Sequence, residues 1–349
     1  MRASDAETLA RAMPKVLLHE HLDGGLRVAT LFELLGARGL PCPAGDVASL
    51  AAWFDARAHA GSLEQYLAGF GLTVAAMAEP AALTRVAFEA AEDARADGCV
   101  LAEFRIAPLL FEAHGLDGDT VVAALLAGLR RSALPSGLIV CAMRQLAPAE
   151  TLRAAELALR WRERGVVGFD LAGPEAGHPP AEHAQALRRV RDAGLPITLH
   201  AGEADVGARV LEAAEHGAVR IGHGVRLADG LGSAAGRALI DAVRARGLHL
   251  EICPTSNVHT GVCPALARHP IGALWRAGLE CSFHTDNRLI SGITMGQEAA
   301  NLVRECGLDM EDLLRMTLAA AARSFLPAPV RAKAAAAVQR WAAAAGLSA

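Results

Sequence analysis

The stretch LLHEHLDGG, residues 17 to 25, places His19 and His21 two positions apart. In an extended strand side chains alternate faces, so these two imidazoles point the same way and Glu20 points opposite. Two imidazoles on one face can grip a metal ion. Two ligands do not close a site, however, and a strand that carries histidines for packing is the plainer alternative. More polar residues stand in comparable settings: His200 and Glu203 in LHAGE, His223 in IGHG, Asp286 and Asn287 in HTDN. Three imidazoles and a carboxylate suit a zinc-type dication with a position left for water, whose pKa such an ion brings toward ~7. A carboxylic acid nearby can deliver a proton near neutral pH if a dry pocket raises its pKa. The combination points to hydrolysis.

These groups can act together only if the fold unites them. Strands are expected at KVLLHEH (15–21), CVLAEFRI (99–106), GLIVCAMR (137–144) and GVVGFDLA (165–172). The second half supplies PITLHA (196–201), VRIGHG (219–224), LHLEIC (248–253) and LECSFH (279–284). The runs are nearly continuous in apolar residues, as parallel strands buried on both faces require. Between them lie helical segments such as AEHAQALRRVRDAG and AAGRALIDAVRARG, each ending in glycine. Eight such units without a linker predict an α/β protein, one (β/α)8 TIM barrel forming a single domain over residues 1–349. All carboxyl ends of its strands converge on one mouth, where the polar residues above would meet.

One connection is long. Between the first two strands, helical patterns near 27–38, 46–58, 62–77 and 80–97 predict a helical insertion of about 25–97. Its position at the mouth suits a lid or pocket wall, and a packing elaboration is the alternative. Gly222, beside His223, is expected to let the backbone approach a ligand. The C-terminal VRAKAAAAVQRWAAAAG reads as a structural helix.

Composition excludes several classes. With a formal charge of −4 the chain lacks the clustered basic surface that nucleic acid needs. No uncharged apolar run approaches the ~18 residues of a membrane span, and the N-terminal residues lack a secretory pattern. The seven cysteines form no CxxC pair, so reduced thiols in a cytoplasm are expected. HLE at 249–251 is not followed by PCxxC, GHGVRL fails the dinucleotide fingerprint, and no phosphate-binding GK[ST] loop occurs.

Taken in order, HEHLDGG, GFDLAG, HAGE, RIGHG, CPTSN and HTDN resemble the adenosine deaminases of the amidohydrolase superfamily. The resemblance covers essentially the whole chain, and HLDGGLR and TDNRLxSG are similar to the actinobacterial branch. It implies hydrolysis of adenosine and 2′-deoxyadenosine to inosine and 2′-deoxyinosine plus ammonia. It also implies one Zn2+ per chain, held by His19, His21, His200 and Asp286. Glu203 would hand a proton to purine N1, and His223 would orient the attacking water and help manage its proton. Gly173 would bind N3 through its N–H, while Asp23, next to His21, would meet the ribose hydroxyls. Asn287 stands where many relatives carry aspartate, and its amide can donate directly to N7. Read from the residues alone, each keeps a plainer role: Glu203 a helix N-terminal charge, His223 a structural histidine, Gly173 a turn, Asp23 a loop cap.

The expected partner is a small 6-aminopurine nucleoside, with no nucleic acid and no membrane; the oligomeric state stays open. Deaminases of adenine or aminodeoxyfutalosine usually show glutamate where Asp23 stands. A two-metal amidohydrolase would want a bridging lysine, and the only lysines are Lys15 and Lys333. A silent binding protein would be expected to have lost Glu203 or a ligand. His284 replaces a usual asparagine, and by the period-two rule it is expected to share the face of Asp286, behind the metal or against substrate.

Overall fold

Eight parallel strands run in the order β1 to β8, each hydrogen-bonded to the next, in a computed structural model that describes residues 3–59 and 69–348. They are β1 Lys15–His21, β2 Cys99–Ile106, β3 Ser136–Met143, β4 Val166–Ala172, β5 Ile197–Ala201, β6 Ala218–His223, β7 His249–Ile252 and β8 Glu280–Phe283. Each begins and ends within two residues of its expected place. Nearly every strand position is buried, because the inner face packs in the barrel and the outer face lies under helices. The (β/α)8 architecture stands.

The ring closes on the active side. Beyond β8, Asp286 pairs with Glu20 of β1. The Asp286 N–H donates to the His19 carbonyl at 2.9 Å, and the His21 N–H donates to the Asp286 carbonyl at 2.7 Å. Elsewhere the ladder is uneven: β3 and β4 pair at six positions, whereas β4 and β5 pair at Phe169–Ile197 alone.

Helices Ala184–Asp192 and Ala234–Ala245 cover the outside as expected, the second capped by Ser233, which accepts from the Gly236 N–H. After β1 come helices Val28–Ala37, Val47–Ala58, Phe70–Met77 and Pro80–Ala96. Part of the 62–77 pattern lies outside the described residues. Pro80–Ala96 packs on β2 and on the following helix Gly118–Leu129, as a crossover helix should. Phe70, Gly71 and Val74 reach the cavity described below, so this excursion forms part of a pocket wall. The C-terminal helix Ala328–Ala344 buries Ala334, Val338 and Ala342 against β2 and the helix Met310–Arg323. Among the described residues no helix is long and apolar enough to cross a membrane.

Candidate active site

A cavity of about 350 Å³ opens at the carboxyl ends of the strands. His21, Asp23, Gly173, His200, Glu203, His223, Asp286 and Asn287 all line it, and His19 lies just beneath, fully buried. These residues, all expected at the site from the sequence, are therefore brought to one place.

The imidazoles and Asp286 form the centre. One nitrogen or oxygen from each of His19, His200, His223 and Asp286 lies within 4.8 Å of the others. His21 completes the set: its Nε2 stands 3.3 Å from His200 Nε2 and 3.5 Å from Asp286 Oδ1. His19 Nε2 lies 3.3 Å from the same Asp286 oxygen. Ligands at about 2.0–2.1 Å from one tetrahedral ion stand ~3.3 Å apart, so these edges match a shell of His19, His21, His200 and Asp286. His19 Nε2 is buried without a hydrogen-bond partner, as a metal-directed nitrogen should be when the protein alone is considered. Burial drives His21 well below the ordinary imidazole pKa against the pull of Asp286, which keeps its nitrogen free to ligate.

The backbone is strained here. His223 and Asp286 adopt φ of 67° and 62°, and among the described residues they are the two non-glycine residues with positive φ. A closing barrel and a bridging donor set hold them in place. Gly222 has a different use from the one expected. A Cβ there would meet His19 Cε1 at 2.9 Å, so the glycine admits the His19 ring rather than a ligand.

Behind the imidazoles stand buried carboxylates. His19 Nδ1 is 2.9 Å from Glu251 Oε2, and His200 Nδ1 is 3.1 Å from Asp170 Oδ1. Each orients its ring and leaves Nε2 for the centre. Arg105 bridges both, donating to Asp170 at 2.8 Å and to Glu251 at 2.6 Å. Burial opposes ionisation of Glu251, but Arg220 and Arg105 overcome it and hold the carboxyl well below its usual range. The interior thus encloses Glu103, Asp170, Glu251 and Asp286 against Arg105 and Arg220. Asp286 sets a carboxylate among the imidazoles, with which a dication would pair. On donor chemistry, spacing and charge the residues fit such an ion.

A second chain of hydrogen bonds leads to Glu203. The Ile271 N–H donates to His269 Nδ1 at 3.1 Å, so His269 must present Nε2–H to Asn257 Oδ1, 3.3 Å away. Burial keeps His269 neutral, with its pKa pushed down to about 3. The Asn257 amide then donates to Glu203 Oε1 at 3.3 Å and to His223 Nδ1 at 3.1 Å. Thr260 also donates to Glu203 Oε1, at 3.1 Å. Glu203 Oε2 takes none of these donors and lies 3.5 Å from His223 Nε2. The next helix starts only at Arg209, so Glu203 is no helix-terminal charge.

The substrate side is equally specific. Asp23 is 3 % exposed, its Oδ1 has no partner, and burial pushes its pKa up to about 7. It caps no loop through that atom. Asn287 Oδ1 is likewise buried and unpaired, and Gly24 makes its place: a Cβ there would fall 2.0 Å from that oxygen. Gly173 has φ of 97° beside Gln145. His284 is a correction. It does not line the cavity; its Nδ1 accepts from the Leu18 N–H at 3.1 Å and its Nε2 faces Ser282 at 2.6 Å.

The family model described as adenosine deaminase matches residues 14–341. An adenosine deaminase of Mycobacterium bovis is 44% identical over 344 residues, which cover 94% of this chain and 93% of that protein. The chain belongs to the adenosine deaminase family. An adenine deaminase from Arthrobacter aurescens shares the fold at a TM-score of 0.85 and 22% identity, covering 95% of this chain and 99% of its own. An amidohydrolase from Burkholderia ambifaria, solved with bound Zn, does so at 0.86 and 24%, covering 99% and 95%.

Within this adenosine deaminase family member, several supporting residues escaped the sequence reading, Asp170, Arg105 and His269 among them. Asn257 lies in the quoted CPTSN and Glu251 in HLE, but neither position announced its partner. Thr260 carried no signal in type or spacing. A charged residue inside an apolar strand, as in Glu251, is the one clue that pointed to buried pairing.

Proposed function

We propose that this chain catalyses the hydrolytic deamination of adenosine and 2′-deoxyadenosine, with water replacing the 6-amino group and ammonia leaving. The reading is carried by one juxtaposition: Glu203 and His223, joined through Asn257, face the imidazole and aspartate donors in one cavity. Zinc is the proposed ion, one per chain, on His19, His21, His200 and Asp286. When bound, such an ion supplies Lewis acidity and lowers the pKa of water toward ~7. The protein does the rest. Glu203 Oε2 holds the proton for purine N1, which makes C6 electrophilic. The tautomer imposed by Asn257 leaves His223 with Nε2–H toward the cavity, where it orients the attacking water by donating to it. The neighbouring Asp286 carboxylate takes the water's proton and passes it to the departing amine. Gly173 N–H takes N3, and the Asn287 amide takes N7.

Charge and pairing select the ligand. No lysine or arginine lines the cavity among the described residues, and residues 60–68, AGSLEQYLA, contain none. A 5′-phosphate would enter uncompensated, so nucleosides are preferred over nucleotides. Free adenine would leave Asp23 Oδ1 unpaired, a cost of about 1–3 kcal/mol that a ribose hydroxyl removes. The seven cysteines are all free thiols, in keeping with the proposed cytoplasmic setting. The test is an absorbance assay on adenosine, 2′-deoxyadenosine, adenine and AMP, following conversion of the amino to the oxo chromophore. The two nucleosides should turn over fastest. Faster conversion of adenine or AMP would overturn the assignment.

A further inference from the structure

Along the ladder from β1 to β8, the seam between β4 and β5 has the fewest paired positions, Phe169–Ile197 alone. It is also the seam across which the proposed purine contacts face one another. Gly173 follows β4, and His200 and Glu203 belong to the end of β5 and its loop. Something other than the ladder must keep these groups in register.

Glu175 stands at this seam, two residues beyond Gly173 and 4 % exposed. Its carboxylate receives four successive backbone N–H groups from the β5 loop. Gly202 donates to Oε1 at 2.5 Å; Glu203, Ala204 and Asp205 donate to Oε2 at 2.9, 2.8 and 3.1 Å. Successive amides turned toward one point form an anion-binding nest, and here the chain fills the nest with its own side chain. Arg144, 1 % exposed, works beside it. Its guanidinium donates to the carbonyls of Leu171 in β4 and His200 in β5, and Glu175 is the leading charge that offsets its burial.

We propose that Glu175 is a positioning residue that fixes Glu203 relative to Gly173, doing at the mouth what the missing ladder cannot. The inference rests on the deaminase reading, in which Gly173 and Glu203 touch N3 and N1 of the same ring. Those atoms are separated by one carbon, so the tolerance is small, and a displacement of about 1 Å can cost about 10² in rate. The chemistry of the side chain is specific. An ionised carboxylate offers about four lone-pair sites for the four donors, whereas a glutamine would turn an NH2 toward one group of them. Aspartate keeps the charge but falls short by a methylene.

The test is a kinetic cycle of Glu175→Gln, Glu203→Gln and the double variant on the metal-loaded enzyme. Glu175→Gln should lower kcat on adenosine by about 10–10² with KM changed by less than about threefold. In the Glu203→Gln background the same substitution should cost almost nothing, because no proton donor remains to be placed. Binding of 1-deazaadenosine, which lacks N1, should be unchanged by Glu175→Gln, and Glu175→Asp should recover part of kcat. Equal losses in both backgrounds, or a matching loss of 1-deazaadenosine affinity, would reduce Glu175 to a general structural support. If Glu175→Gln does not fold, Glu175→Asp runs the same cycle. Hydrogen exchange at the amides of 202–205 tests the clamp without substrate: protection in the wild type and its loss in Glu175→Gln are expected, and equal exchange overturns the clamp. A wild type inert on adenosine but protected at 202–205 would refute the functional reading and leave the clamp standing.

Discussion

The cavity has two walls that differ in kind. The wall built from the ends of β1, β5, β6 and β8 is polar, and His19, His200, Glu203 and His223 each engage a buried partner. The wall built from the ends of β2, β3 and β4 carries Ala107, Cys141, Met143 and Ala172, held by packing among themselves and with Leu110. The contrast shows where loss is expensive. On the polar wall each missing partner strands a buried charge or donor, while on the apolar wall it removes only contact area.

The largest effect should come from the proposed proton donor. Glu203→Gln keeps a hydrogen-bonding group but no proton to give, so kcat should fall by about 10²–10⁴ with metal content unchanged. A variant retaining more than about a tenth of wild-type kcat would place the acid elsewhere. Next comes the brace behind the imidazoles. Glu251 accepts from Arg105, Arg220, Thr198 and His19, so Glu251→Gln should destabilise by about 3–5 kcal/mol in urea unfolding. Chelator competition should show metal affinity weakened by about 10–100-fold. Unchanged stability would remove the charge-balance argument for the polar wall.

Glu298 gives this wall a pH dependence. It accepts from the Thr255 N–H and hydroxyl, at the turn carrying Ser256, which donates to Asp286, and Asn257. Burial pushes its pKa up from 4.5 to about 7. The folded state therefore holds this proton more tightly than the unfolded chain. Its contribution is full below about pH 4.5 and is lost as pH rises through about 7, by at most about 3 kcal/mol. Glu298→Gln should flatten that decline in urea midpoints measured from about pH 5 to 8; an unaltered slope would assign it to another group.

Asp23→Ala should lower kcat/KM for adenosine relative to adenine by roughly tenfold, the scale of one buried hydrogen bond. Equal loss on both substrates would make Asp23 structural. The smallest effect belongs to the apolar wall. Met143→Leu conserves volume and should cost less than about 1.5 kcal/mol, with kcat unchanged and KM within about threefold. A large fall in kcat there would erase the distinction between the walls.

Much of this was legible beforehand. The strands declared themselves because parallel strands buried on both faces need unbroken apolar runs, and CVLAEFRI and KVLLHEH fall where expected to the residue. The histidines and acids stood out by type at the ends of those runs. His284 misled for a definable reason. Strand β8 stops at Phe283 and Asp286 turns to φ 62°, so period-two alternation no longer relates residues 284 and 286. Glu175 and Asn257 could not be read at all, since their roles exist only between loops distant in the chain.

The residue types at each strand end, and the periodicity that made each strand, are properties of local sequence. Which ends adjoin is not. Asp286 meets His19 and His21 because its own backbone closes the ring against β1, and local periodicity says nothing about a pairing between residues so far apart. The same holds for the outer carboxylates. Glu251, Asp170 and Arg105 come from three different strands, and only burial in one interior forces their charges to be settled among themselves.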